Sequence, residues 1–94
     1  MSPVRTELLR FIEEVNDLEA DILAYMSLLN KTIVHFDTPD NKHLNIQQKD
    51  GHITINGNTG FSNQKLMYNY KDDIYRNLDL LAAMTLNQLK RDPA

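Results

Sequence analysis

The chain has 94 residues, no cysteine and a formal charge of −3. That length makes one domain, residues 1–94, which buries a modest share of its surface; without thiols, disulfides, thiolate metal sites and cysteine nucleophiles are excluded and self-association is the readiest addition to the core. The acidic balance, with a pI near 5.5, lacks the basic excess that tracks phosphates, no apolar run reaches the roughly 20 residues of a membrane span, and the N-terminal segment is not of signal-peptide form, so the expectation is a cytoplasmic protein with neither nucleic acid nor membrane as a partner.

The first third reads as one long helix, about residues 3–34. Val4, Leu8, Phe11, Val15, Leu18, Ile22, Tyr25 and Leu29 follow at alternating steps of four and three, a heptad stripe. Ser2 is placed to cap this helix, and Pro3 suits its first turn. Near its end the pattern is two-sided. Ile33 and Phe36 extend the stripe, while Thr32-Ile33-Val34-His35-Phe36 is rich in β-branched residues and would also make a short strand at 32–36. The helix reading is preferred, followed by a loop over 35–42 in which Asp37, Pro39, Asp40 and Asn41 supply turn chemistry.

Residues 43–57 read as a β-hairpin. Leu44 and Ile46 alternate with polar residues, as do Ile53 and Ile55, and Asp50-Gly51 between them is the signal for a type I′ turn. A two-residue turn pairs Lys49 with His52, Gln48 with Ile53 and Ile46 with Ile55, which puts all four apolar side chains on one face. A three-residue loop would slip the register and split them.

After a connector at 58–61, a second helix is expected over 62–91, with Ser62 as its cap and Phe61 and Leu66 placed as a hydrophobic staple. Lys90 and Arg91 suit its C-terminal end, and Pro93 follows. Its stripe, Met67, Tyr70, Ile74, Leu78, Leu81, Thr85 and Leu89, has a longer period than the first. Between Leu78 and Leu86 only Asp79 and Thr85 are polar, so this helix needs cover on several sides.

These elements predict an α+β protein, mainly α: two long antiparallel helices joined by a β-hairpin, with Phe11 near Leu86, closing a helical bundle by self-association as a dimer or higher oligomer. The association core would comprise Leu8, Phe11, Val15, Leu18, Ile22, Tyr25 and Leu29 from the first helix. The second helix would add Ile74, Leu78, Leu81 and Leu86.

Chemistry-bearing patterns are few. His35, His43 and His52 lack the spacing of metal ligands, and Asp37 to Asn41 lacks the glycine and glutamate of a calcium loop, so no metal or other cofactor is expected. There is no nucleophile elbow or phosphate-binding glycine loop, and no catalytic role is expected. Tyr68 and Tyr75, with His43, His52 and Lys49, are the candidate contacts to a partner or ligand, since exposed tyrosines favour interfaces and stack on nucleobases. The function expected is a non-catalytic protein-binding or regulatory module, a small inhibitor or adaptor acting as a homo-oligomer. The alternative is a homo-oligomer that binds a small ligand, such as a nucleotide, between subunits.

Overall fold

The structure, a computed structural model, describes the backbone of residues 3–91 and the side chains of residues 3–88. Ser2 and Pro93, and the side chains of Leu89, Lys90 and Arg91, lie outside the described residues. The chain is α+β and mainly helical. Its order is α1 (Pro3–Leu29), β1 (Ile33–Asp37), β2 (His43–Lys49), β3 (His52–Ile55), α2 (Gly60–Asn69) and α3 (Lys71–Arg91).

Helix α1 stops at Leu29, short of the expected 34, because Asn30 takes a left-handed conformation (φ 54°). The Lys31 N–H then reaches the Met26 carbonyl at 2.9 Å and the Asn30 N–H the Ser27 carbonyl at 3.1 Å. This pair of reversed bonds satisfies the last helical carbonyls and turns the chain out. The segment 33–37, expected to be helix end and loop, is therefore strand β1. Ile33 and Phe36, three apart, would share a helix face; on the strand they lie on opposite faces, Phe36 buried and Ile33 exposed.

The sheet is antiparallel in the order β1-β2-β3. The expected hairpin register holds: Lys49 faces His52, Gln48 faces Ile53 and Ile46 faces Ile55. Asp50 and Gly51 both have positive φ, 54° and 77°, as a type I′ turn requires. Strand β3 ends at Ile55, two residues before the expected hairpin end. Strand β1 adds the pairs Val34–Ile46 and Phe36–Leu44, so Val34, Phe36, Leu44, Ile46, Ile53 and Ile55 form one inner face. Val15, Leu18, Ile22 and Met26 of α1, Met67 of α2, and Ile74 and Leu78 of α3 complete a single core against it.

The extra strand changes the sense of the helices. Each antiparallel turn reverses the chain, and three strands introduce one reversal more than a two-stranded hairpin. Contacts between α1 and α3 accordingly ascend together: Glu14 with Lys71 at 2.7 Å, then Asp21 with Tyr75 at 2.7 Å. The expected antiparallel pair is not formed. Phe11 meets Phe61 and Tyr68 rather than Leu86, which is 58% exposed.

The expected second long helix is two. Thr59, not Ser62, is the N-cap of α2, and Phe61 is exposed against Phe11 rather than stapled inward. At Tyr70 the backbone leaves helical values (φ −110°, ψ 17°). The Tyr70 N–H still reaches the Leu66 carbonyl at 3.0 Å, and the Ile74 N–H the Tyr70 carbonyl at 2.8 Å, so the break is a kink without a loop. The Tyr70 hydroxyl donates to Asp40 Oδ2 at 2.9 Å, tying the kink to the β1–β2 loop. With the Thr38 hydroxyl, the larger influence, this bond holds the Asp40 carboxyl below its ordinary pKa.

Candidate protein-binding surfaces

The core covers only part of the α1 stripe. Val15, Leu18 and Ile22, with Ile74 and Leu78 of α3, are buried inside the single chain, so these five expected association residues are held by its own sheet and helices. Phe11, Tyr25 and Leu81 are partly buried against that core, and Leu29 is half-buried. Leu8 and Leu86 remain exposed.

The first turns of α1 carry an apolar surface with no cover. Val4 is 73% exposed, and Leu8, Leu9 and Ile12 are each more than 40% exposed. Phe61 adjoins them through Phe11, ring centroids 6.1 Å apart, and Phe11 packs on Tyr68 at 4.8 Å.

The five expected contact residues do not converge. Tyr68 packs on Phe11 in the helical layer, with the Lys71 ammonium 5.1 Å above its ring. That ammonium is bonded to Glu14, which raises its pKa. Tyr75 donates its hydroxyl to Asp21. His43 and Lys49 lie on the outer face of the sheet. His43 Nδ1 is 2.6 Å from Asp37 Oδ1, with both side chains exposed, and Lys49 pairs with His52. His52 Nδ1 stands 4.0 Å from Glu19. Among the described residues no three His, Asp or Glu side chains gather as a metal site would need.

The two sheet edges differ, and pattern alone did not reveal it. On β3, Ile53 and Ile55 turn their backbone groups away from β2, and side chains meet them. Glu19 Oε1 accepts the Ile53 N–H at 3.2 Å, and the buried Asn63 accepts the Ile55 N–H at 2.7 Å while donating to the Ile53 carbonyl at 2.8 Å. Asn58 donates to the Ile55 carbonyl through its backbone at 2.9 Å and its side chain at 3.2 Å. That edge is closed.

On β1, the Gln48 N–H donates to the Thr32 carbonyl at 2.9 Å and the Thr38 N–H to the Lys42 carbonyl at 3.2 Å. Even-numbered residues thus face β2, and Ile33, His35 and Asp37 present their N–H and C=O groups outward. Asn77 Nδ2 donates to the Asp37 carbonyl at 3.1 Å. Among the described residues nothing meets the backbone of Ile33 or His35 from that side. Further along, residues of β1 and of α3 past Asn77 line a groove of about 650 Å³. Leu29, Ile33, Val34, Leu81 and Met84 supply its apolar wall. Among the described residues, Lys31 and His35 are its ionisable lining groups.

Among the described residues no helix is long and apolar enough to cross a membrane. Compared with known proteins, the chain matches no family model, no curated protein and no solved structure.

Proposed function

We propose that the chain is a non-catalytic protein-binding module, of the inhibitor or adaptor kind, that acts as a homo-oligomer through the first turns of α1. The observation that carries this reading is the exposed run Val4, Leu8, Leu9 and Ile12 with Phe61 beside it. Val4 and Leu8 continue the heptad spacing of the buried stripe past the end of the core, and a seam of that period is completed by a like helix. A second copy brings the same seam, and a two-fold pairing of it closes on itself. The engagement of Tyr68 and Tyr75 within the chain favours a protein surface over a nucleotide pocket between subunits.

Sedimentation equilibrium tests the reading. The expected result is a dimer or higher species at micromolar concentration. Leu8→Glu and Ile12→Glu should each release monomers, with the circular dichroism of the parent retained, because both positions lie outside the core. A wild-type chain that is monomeric at that concentration would overturn self-association through α1.

A further inference from the structure

We propose that the open edge of β1 and the groove beside α3 dock an extended, acid-bearing peptide segment of another protein, which adds to the sheet as a fourth strand. The contrast between the edges points there. An exposed strand edge is a template for pairing, and folded proteins close such edges. Here Glu19, Asn63 and Asn58 meet all four outward backbone groups of Ile53 and Ile55. Asn77 does the same for β1 only at the Asp37 carbonyl, which leaves two donors and two acceptors on Ile33 and His35. Donors and acceptors at every second residue match the backbone of one extended segment.

The groove sets the side chains of that segment. A residue opposite Val34 shares its face and enters the space between Leu29, Leu81 and Met84, so alternate apolar side chains fit there. The volume, about 650 Å³, lies within the roughly 300–1,000 Å³ usual for ligand sites. Lys31 and His35, with no acidic neighbour among the described lining residues, call for a carboxylate on the segment. A second copy of β1 is a poor filler. Its inward side chains, Val34 and Phe36, are buried in its own core and cannot enter a neighbour's groove.

The site is separate from the α1 seam, so its test is separable as well. Selection from a phage-displayed library of random short peptides should enrich sequences with apolar residues at alternate positions and an acidic residue beside them. On titration with a selected peptide, the amide protons of Ile33 and His35 should become protected from exchange. His35→Pro removes one outward donor without touching the β1–β2 ladder, and proline is tolerated at such an edge position. It should weaken binding about tenfold or more, the equivalent of roughly one lost backbone bond, while His35→Thr retains binding. Met84→Glu, at an exposed helical position, tests the same groove should the proline variant fail to fold, and it should also weaken binding. Leu8→Glu should leave peptide binding unchanged even where it dissolves the oligomer. No enriched peptide, binding indifferent to both His35→Pro and Met84→Glu, or dissociation of the homo-oligomer by His35→Pro would each overturn the proposal, the last by placing a second copy at this edge.

Discussion

Asn63 stands in for a strand beside Ile55. One buried carboxamide accepts the Ile55 N–H at 2.7 Å and donates to the Ile53 carbonyl at 2.8 Å, the pair of bonds that a neighbouring residue of a fourth strand would make. Asn63→Ala leaves two buried backbone groups unmet, and the expected loss of stability is about 2–4 kcal/mol. Asn63→Asp keeps the acceptor and turns a carboxylate toward the Ile53 carbonyl, so it should be no better tolerated. Urea unfolding measures both. A loss below about 0.5 kcal/mol for the alanine variant would mean that water replaces the carboxamide at no cost.

Leu18 and Leu8 belong to one stripe and should behave oppositely. Leu18 is 1% exposed and Leu8 52%. Leu18→Ala opens a cavity in the core and should cost about 2–5 kcal/mol. Leu8→Ala should change the folding free energy of a dilute monomer by less than about 0.5 kcal/mol, as surface positions do. Its effect belongs in the concentration dependence of the melting temperature, since association stabilises by mass action. Equal losses at the two sites would show that the first turns of α1 are packed in solution without a partner.

Tyr75 makes stability fall at high pH. Burial, then the bond to Asp21, pushes its pKa up to about 12 from the ordinary 10.0. Above pH 10.0 the unfolded chain has lost this proton while the folded chain retains it, so the unfolded state gains. The contribution is whole below that pH and drains away as pH rises toward about 12. Tyr75→Phe has no proton to lose, and its urea midpoint should fall less steeply than the parent's across that window. Tyrosinate absorbance of the folded variant should lack one of the parent's late-titrating tyrosines and keep Tyr70, whose bond to Asp40 also raises its pKa. Superimposable stability profiles would refute the link.

The hairpin was legible because two independent signals agreed: alternation at Leu44, Ile46, Ile53 and Ile55, and the Asp50-Gly51 turn that alone puts them on one face. At 30–36 the signals conflicted. Ile33 and Phe36 fit a helical period, and the left-handed Asn30 with the β-branched run after it decided for a strand. That one element then reversed the sense of the later helices, so a local ambiguity became an error of topology. The kink at Tyr70 carries no proline or glycine; its hydroxyl bond to Asp40, thirty residues away, is a tertiary contact with no local trace. The sheet edges were equally illegible, since Asn63 and Asn77 look like ordinary polar helix residues until the register shows which carbonyls they meet.

The turn itself supplies the last prediction, a pair of substitutions with opposite signs. Gly51 has φ 77° with nothing within 4 Å of where a Cβ would stand, so Gly51→Ala meets no clash and its cost is backbone strain alone, about 1–2 kcal/mol. Asp50 also sits at positive φ, 54°, and already bears that strain. Asp50→Asn creates the Asn-Gly pair preferred at the same turn and should leave stability unchanged or raise it by a few tenths of a kcal/mol. Because Ile46 and Ile55 are both fully buried, neither variant should disturb their pairing, which cross-strand NMR contacts report. A shifted contact pattern in Gly51→Ala would show that the turn selects the register against the apolar pattern, whereas an unshifted pattern with lower stability shows that burial of Ile46 and Ile55 holds it in place.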